Sequence, residues 1–452
     1  MIKKVLIANR GEIAVRVIRA CKEMGIETVA VYSEADKEAL HVQMADEAYC
    51  VGPTLSKDSY LNYTNIMSVA TLTGTDAIHP GYGFLSENAE FAEMCEECNI
   101  TFIGPSSYAI QKMGTKDVAR ETMREAGVPV VPGSAGIIKD EEDGLKVAEE
   151  IGYPVIIKAT AGGGGKGIRV ARNEEDLKKG IRMTQQEAET AFGNPGVYIE
   201  KFIEDFRHVE IQVLADNHGN AVHLGERDCT IQRRLQKLIE ETPSPAISEA
   251  MRAKMGDAAV KAALAVNYSG AGTVEFIYDK EDDSFYFMEM NTRIQVEHPV
   301  TEMVTGVDLI KEMLLIADNN ELSFKQEEIE FEGWSIECRI NAENPHKNFM
   351  PSAGKIDMYL PPGGLGVRVD SAAYPGYMIP PYYDSMVAKL ITYGRDRDEA
   401  IRRMKRALDE FVIEGVHTTI PFHQRMMEHE VFVGGDFNTK FLEKYTIMKD
   451  ES

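Results

Sequence analysis

The stretch Phe285-Tyr286-Phe287-Met288-Glu289-Met290-Asn291-Thr292-Arg293-Ile294-Gln295-Val296-Glu297-His298 interleaves apolar side chains with an acid, an amide, a guanidinium, a second amide and a second acid. Alternation of period two is strand geometry. A strand here sets Glu289, Asn291 and Arg293 on one face, while Phe287, Met288 and Met290 anchor the ribbon in a core. Carboxylate and amide oxygens are hard ligands suited to magnesium, and an arginine just beyond them suits an oxyanion. The plain alternative is a solvated strand face, although such faces rarely carry Asn and Arg in so apolar a frame.

Other segments carry compatible chemistry. The strand pattern Tyr153-Pro154-Val155-Ile156-Ile157-Lys158-Ala159 leads into Gly162-Gly163-Gly164-Gly165-Lys166-Gly167 and then into Ile168-Arg169-Val170. Consecutive glycines leave backbone N–H groups uncovered, so such a loop can close over phosphate oxygens; a flexible hairpin is the alternative. It is not the mononucleotide P-loop, because Lys166 is followed by glycine and by a strand. Arg207 to Val213 alternates as a strand with its polar residues on one face, and Gln232 to Lys237 concentrates bases. Glu275 lies within the apolar strand pattern Thr273 to Tyr278, where a buried carboxylate needs a partner or a metal.

These groups need a scaffold of several parts. With 452 residues the chain exceeds one compact core, and the length points to about three domains. Lys4 to Ala8 reads as a buried strand, Gly11 as a turn, Ile13 to Met24 as a helix stopped by Gly25, and Thr28 to Tyr32 as a second strand. The β-α-β pattern continues past Ala77-Ile78 and Thr101 to Ile103, predicting a doubly wound α/β domain up to about residue 110. The dinucleotide glycine fingerprint is absent. Val128 to Gly133 suggests a hinge. From about Glu332 the pattern turns β-rich and is expected to finish with a helix from Arg397 to Phe411.

The balance of 73 acids against 49 bases gives a formal charge of −24, which disfavours nucleic acid and anionic membranes as partners. No stretch reaches membrane-spanning length, and the N-terminus lacks a signal-peptide core. Six cysteines without a disulfide-like framework suit a reducing cytoplasm. Cys95 and Cys98 close a helical pattern, where redox chemistry is not expected.

Together these segments resemble the ATP-grasp enzymes and, among them, the biotin carboxylase family. Tyr153 to Gly167 and Phe287 to Ile294 look like the two ATP signatures. Ala8 to Ala14, His79 to Asn88, Gln232 to Lys237, Arg293 to Pro299 and Glu337 to Glu343 look like the biotin carboxylase blocks. The resemblance runs from residue 2 to about 446. It implies a mixed α/β (α+β overall) ATP-grasp fold: an N-terminal doubly wound domain at 1–112, an ATP-grasp domain at 113–330 with a mobile glycine-loop lid at about 131–203, and a β-rich C-terminal domain at 331–452.

The implied reaction uses ATP to turn bicarbonate into carboxyphosphate and then carboxylates a ureido nitrogen of biotin. By the same resemblance Lys116 and Lys158 bind nucleotide phosphates beneath a lid containing Gly164, Gly165 and Lys166. Glu200, Lys201 and Ile203 form the adenine hinge, with Ile168 and Ile277 on the base faces, and His208 and Gln232 contact ribose or phosphate. Glu275, Glu289 and Asn291 would hold one or two Mg²⁺ (or Mn²⁺) ions. Arg293, Lys237, Gln295 and the Val296 N–H would cradle bicarbonate, with Glu297 as general base. Arg339 would stabilise the enolate-like oxygen of biotin, and Tyr82 would line the biotin pocket. Arg19, Glu23, Leu365 and Arg368 match a dimer-contact region, implying a homodimer.

The chain has no Met-Lys-Met biotin-attachment site and no room for a carboxyltransferase. It therefore resembles a free-standing subunit of a bacterial acetyl-CoA carboxylase in fatty-acid synthesis, working with a biotin carboxyl carrier protein and carboxyltransferase subunits. One departure stands out: many relatives have His where this chain has Leu235, so a nucleotide contact through that side chain is lost or replaced by a backbone or apolar one. Other ATP-grasp ligases would lack the Arg293 to Glu297 and Arg339 blocks, and a catalytically silent nucleotide-binding module would have lost a metal ligand, Lys116 or Lys158.

Overall fold

Three consecutive apolar residues of the first strand, Val5, Leu6 and Ile7, are completely buried, as a parallel strand covered by helices on both faces requires. In the computed structural model, which describes residues 1–159, 168–192 and 194–448, this strand is the centre of an all-parallel sheet. Strands β1 (Lys4–Ile7), β2 (Glu27–Ser33), β3 (Glu47–Gly52), β4 (Ala77–His79) and β5 (Thr101–Phe102) run in the order β3-β2-β1-β4-β5. The order reverses between β1 and β4. A doubly wound sheet opens a crevice at the carboxyl ends of its strands at that switch point. The residues following β1 and β4 meet there, where Asn9 Nδ2 donates to the carbonyls of Pro80 and Tyr82, both at 2.7 Å. The helix Gly11–Glu23 begins from this junction and stops before Gly25, which takes the left-handed φ of 71° that glycine tolerates.

A smaller antiparallel sheet contains β6 (Val155–Ala159), β7 (Ile168–Ala171) and β8 (Val197–Lys201) in the order β7-β6-β8. It packs under the helices Glu141–Ile151 and Glu174–Phe192 around its own core of Val155, Ile157, Ile181 and Ile199. Gly180 permits that contact: a Cβ added there would come within 2.5 Å of Ile157 Cδ1. The expected lid loop, with Gly164, Gly165 and Lys166, lies outside the described residues.

The central element is an eight-stranded sheet. Its first members are β9 (Arg207–Ala215), β10 (Ala221–Arg233), β11 (Gln236–Thr242), β12 (Gly270–Asp279), β13 (Ser284–Asn291) and β14 (Trp334–Asn341). The order is β13-β12-β9-β10-β11-β14, followed by the strands Met386–Gly394 and Val367–Ser371. Every residue of β9 is buried. Its apolar face, Val209, Ile211 and Val213, packs in one core with Met255, Ala259 and Ala262 of the helix Glu249–Ala265, while His208, Glu210 and Gln212 point into an internal polar layer. The sheet continues through residue 330, because β14 hydrogen-bonds directly to β11. The chain also continues helical past Arg397–Glu410, through Ile420–Glu428, Glu430–Gly434 and Phe441–Lys444, so the expected last helix is not the last. Among the described residues no helix is long and apolar enough to cross a membrane.

Sequence periodicity misplaces one residue of the acid-amide ribbon. Across β12 and β13, Glu275 faces Glu289 and Phe276 faces Phe287, so Met288 is the extra residue of a β-bulge. A bulge re-aims a side chain. Met288 is 37% exposed and turned into the central cavity instead of anchoring the core with Phe287 and Met290.

Arg227 of β10 fixes the polar layer. Its guanidinium is wholly buried and donates to Glu210 at 2.6 Å, Gln212 at 2.6 Å, Thr273 at 3.0 Å and Thr301 at 3.1 Å. Removing one partner of a buried ion pair leaves the other charge uncompensated, which destabilises by about 3–5 kcal/mol. Arg227→Met is therefore expected to lower the unfolding free energy by about that amount, read as a lower urea midpoint.

Candidate active site

A cavity of about 920 Å³ opens between the parallel sheet and the central sheet. Its walls contain Tyr82, Lys116, His208, Gln232, Lys237, Glu275, Glu289, Asn291, Arg293, Gln295, Val296 and Arg339. Twelve of the sequence-predicted residues thus converge on one space. They arrive from five places: the loop after β4, the helix Lys116–Glu125, the β9 to β11 strands, the β12–β13 hairpin with the turn after it, and β14.

Lys237 organises the floor. Its Nζ lies 2.6 Å from Glu210 Oε2, 2.8 Å from Glu275 Oε1 and 2.8 Å from Glu297 Oε1. Glu297 is completely buried and sits between Lys237 and Arg339, whose Nη2 donates to its second oxygen at 3.0 Å. Burial alone would raise the Glu297 pKa, but Lys237, Arg339 and Arg227 overcome that and hold the carboxyl well below its ordinary value. Glu275 behaves alike: burial pushes it up, and Lys237 and His208, whose Nε2 is 2.9 Å away, bring it down. Both are carboxylates at neutral pH.

Glu289 is the opposite case. Burial raises its pKa, and the charge of Glu275, its partner in register, raises it further. Glu275 is relieved by Lys237 and His208, while Glu289 faces it beside Asn291 with its own charge opposed by that of Glu275. The donor set is all oxygen, the chemistry that hard divalent cations take. Glu275, Glu289 and Asn291 therefore fit Mg²⁺ or Mn²⁺. His208, Glu210 and Glu275 also bring ligand atoms within 4.8 Å of one another, but the Lys237 ammonium already neutralises that corner.

Arg293 is held next to Asn291 through three of its nitrogens. Nε donates to Glu87 at 2.9 Å, Nη1 to Gln295 Oε1 at 2.7 Å and Nη2 to Asn291 Oδ1 at 3.2 Å. Glu87 also accepts from the Thr292 N–H at 3.0 Å, so one carboxylate orients both the turn and the guanidinium. On the wall of the parallel sheet, the Tyr82 hydroxyl donates to Glu12, whose carboxyl also pairs with the buried Lys389 at 3.2 Å.

The β10–β11 hairpin closes the mouth. Arg234 and Leu235 form its two-residue turn with φ of 49° and 67°, and Leu235 is 91% exposed. As the sequence suggested, Leu235 makes no polar contribution; its side chain stands at the rim, while Gln232 and Lys237 reach inward.

The remaining nucleotide-binding candidates are not on the cavity wall. Lys158, Ile168, Glu200 and Lys201 sit on the three-stranded sheet, Ile203 just beyond β8, and Ile277 on β12. Lys158 Nζ is paired with Glu200 Oε2 at 2.6 Å, and Glu200 also accepts from Arg120. The Lys201 ammonium is bonded to the carbonyls of Gly152 and Tyr153, both at 3.2 Å, and its N–H to Pro132 at 2.8 Å. On the three-stranded sheet, the Lys158 ammonium is thus paired with Glu200 and the Lys201 ammonium with backbone carbonyls.

Three family models match most of the chain. Residues 1–110 match the biotin carboxylase N-terminal domain, 115–325 the ATP-binding domain of the carbamoyl-phosphate synthase L chain, and 337–444 the biotin carboxylase C-terminal domain. The chain belongs to the biotin carboxylase family. Biotin carboxylase 1 of Bacillus subtilis is 78% identical over 448 residues, covering 99% of this chain and all of the relative. The crystal structure of the biotin carboxylase subunit of pyruvate carboxylase superposes with a TM-score of 0.91 at 56% identity, covering 98% of both chains. The biotin carboxylase domain dimer of Hydrogenobacter thermophilus 2-oxoglutarate carboxylase, solved with MgADP, ADP and bicarbonate, superposes with a TM-score of 0.88 at 54% identity and 98% coverage of both chains. The α/β architecture is that of an ATP-grasp enzyme.

Several residues of the site escape a sequence reading. Glu210, Glu87, Glu12 and Arg120 bond the predicted site residues Lys237, Arg293, Tyr82 and Glu200, and Arg227 holds Glu210. Glu210 left a signal as a carboxylate on the polar face of an alternating strand, and Glu12 and Glu87 lie within the blocks that carry the family resemblance; Arg227 and Arg120 pair across sequence separations that periodicity does not reveal. The expected dimer contacts Arg19, Glu23 and Arg368 gather along one groove with Arg16 and Glu302, and Leu365 is 85% exposed. Arg368 is paired there with Glu302 at 2.7 Å and Asp370 at 2.8 Å.

Glu289→Gln removes one of the two facing carboxylates and leaves the shape intact. It is expected to raise the magnesium concentration needed for half-maximal ADP formation by about tenfold or more, a loss of roughly 1.4 kcal/mol in cation binding, read from a magnesium titration of activity.

Proposed function

We propose that this chain catalyses the ATP-dependent carboxylation of biotin borne on a separate carrier protein, with bicarbonate as carboxyl donor and carboxyphosphate as intermediate. One observation carries the reading: a buried, ionised Glu297 is bonded to Lys237 and Arg339, and those two cations line one cavity with the Arg293–Gln295 guanidinium-amide pair and the oxygen donors Glu275, Glu289 and Asn291. Those are the parts that activation of a small planar anion by phosphoryl transfer needs.

In this reading Arg293, Lys237, Gln295 and the Val296 N–H hold bicarbonate, while His208, Gln232 and Lys116 line the nucleotide side. Lys158, the loop residues Gly164, Gly165 and Lys166, Ile168, Glu200, Lys201, Ile203 and Ile277 complete the nucleotide site when the small sheet comes down over the cavity. Closure excludes water, which would hydrolyse carboxyphosphate. Mg²⁺ or Mn²⁺ at Glu275, Glu289 and Asn291 would neutralise phosphate charge. Lys237 and Arg339 keep Glu297 ionised and weaken it as a base. It accepts the bicarbonate proton as the oxygen bonds to phosphorus and that proton grows acidic. ADP leaves, released phosphate takes the ureido proton, and the carboxyl group passes to the biotin nitrogen. Arg339 donates to the enolate-like oxygen that develops on the ring, and Tyr82 borders the pocket for that ring.

The same proposal includes three units, 1–112, 113–330 and 331–452, a homodimer joined near Arg19, Glu23, Leu365 and Arg368, and a cytoplasmic location. It also includes a biotin carboxyl carrier protein and carboxyltransferase subunits as partners. We assign the acceptor as acetyl-CoA, in fatty-acid synthesis. Relatives named for pyruvate and 2-oxoglutarate share most of this chain, so the partner carrying the carboxyltransferase, and not this cavity, selects the acceptor.

Bicarbonate-dependent ADP release is expected to rise when free biotin is added at millimolar concentration; no stimulation overturns the reading. Arg339→Ala is expected to leave ATP binding intact and to lower biotin-dependent turnover by about 10²- to 10³-fold, as loss of an oxyanion donor does. Equal loss of nucleotide binding would remove Arg339 from that role.

A further inference from the structure

Arg339 is gripped at two corners by two fully buried carboxylates. Nε donates to Glu240 Oε1 at 2.6 Å and Nη2 to Glu297 Oε2 at 3.0 Å. Its backbone is fixed separately, since the Arg339 carbonyl accepts from Thr419 Oγ1 and His423 Nε2, both at 2.8 Å. The side chain therefore owes its direction to Glu240 and Glu297. Glu240 does not line the cavity, and its second oxygen, Oε2, has no partner among the described residues. Glu337 sits opposite Glu240 in the β11–β14 register, buried, with neither carboxyl oxygen bonded among the described residues. Buried polar atoms are normally bonded, so a pair of carboxyls left this way calls for an explanation.

Charge supplies one. Burial drives Glu337 well above the carboxylate range, so it keeps its proton. Burial also raises Glu240, to about 7, against the pull of Arg339. Glu337 thus gives Glu240 a neutral neighbour, and the Glu240 charge is directed at Arg339 alone on that side. Glu297 cannot grip Arg339 as an ion throughout the reaction: once it accepts the bicarbonate proton it is neutral, and its charge–charge attraction for the guanidinium is gone.

We propose that Glu240 is a positioning residue for the second chemical step, holding the Arg339 guanidinium in place from behind while Glu297 is protonated and the carboxyl group moves to biotin. The inference rests on the reading of the site given above. Glu240 touches no reacting atom. Its effect falls on the biotin step, because in the first step Glu297 is still charged and shares the grip.

The test is Glu240→Gln, which keeps shape and an acceptor oxygen but removes the charge. Bicarbonate-dependent ADP release without biotin, and the KM values for ATP and bicarbonate, are expected to stay within about twofold of wild type, while kcat with free biotin falls roughly 10- to 100-fold through loss of the buried charge opposite Arg339. The pH profile separates this from a packing effect. In the wild type, biotin-dependent kcat should rise with pH as Glu240 ionises, at or below about 7 because the Glu297 charge that helps raise Glu240 is gone in that step, and Glu240→Gln should lack that limb. The charged and titratable groups facing Glu240 are Arg339, Glu337 and Cys338 of β14, Glu297, Lys237 of its own strand and Cys229 of β10. Glu337→Gln is the control, because it replaces a carboxyl that already holds its proton, and it should match wild type. An unchanged kcat in Glu240→Gln, an equal loss of biotin-free ADP release, or the same loss in Glu337→Gln overturns the inference. Absence of biotin stimulation in the wild type overturns the functional reading instead.

Discussion

The Lys237 ammonium is the contact on which the rest of the site depends. Three carboxylates from three strands or turns approach it within 2.8 Å. Each attraction is roughly 6 kcal/mol at an effective dielectric near 20. Burying an ammonium forfeits several kcal/mol of hydration, and so does burying each carboxylate. A single pair barely recovers that loss. A lattice does, because each cation serves several anions and each anion several cations. Arg227 pairs with Glu210, Glu210 with Lys237, Lys237 with Glu297 and Glu297 with Arg339. No member can move alone without stranding a neighbour's charge, so catalytic geometry is set by collective neutralisation more than by any one hydrogen bond.

This lattice reconciles an acidic protein with anionic substrates. The formal charge of −24 repels phosphate and bicarbonate at a distance, and salt screens that repulsion beyond about 8 Å. Inside the cavity the balance is local. The carboxylates of Glu210, Glu275 and Glu297 are already matched by Arg227, Lys237 and Arg339, so Arg293 and Lys116 supply most of the charge that attracts an anion to the cavity that Lys237 also lines. Glu87 orients Arg293 while being 41% exposed in its side chain, a weak hold that leaves most of the guanidinium charge for a ligand.

What the sequence revealed and what it concealed divide along physical lines. Periodicity is local, and it located β1, the first helix, β12 and the acid-amide ribbon, and it required a partner for Glu275. Pairing between distant strands has no local signature. The central sheet running from β11 into β14, and with it the place of Arg339 beside Glu297, could not be read from spacing. Arg227 looked like any charged residue in a strand because its partners Glu210, Gln212, Thr273 and Thr301 lie on three other segments. Met288 was misplaced because alternation assumes an unbroken register and a single bulge inverts it. The hairpin at Gln232 to Lys237 was legible as a concentration of bases but not as a two-residue turn, since Arg-Leu lacks the Asn-Gly signature that positive φ favours.

That turn shows how the site is assembled. Two non-glycine residues in succession at positive φ store backbone strain, of order 1–3 kcal/mol each, and persist only where the surroundings over-determine them. Here they are over-determined. Arg233 faces Gln236 and Gln232 faces Lys237, and β10 and β11 are each paired on their outer sides, with β9 and β14. Relaxing the turn by one residue would rotate Lys237 to the other face of the sheet and leave Glu210, Glu275 and Glu297 facing one another without a cation. The lattice thus enforces the register, the register enforces the strained turn, and the turn delivers its residue 235 to the rim. A leucine is admissible there because the backbone conformation, not the side chain, is what the floor of the site requires.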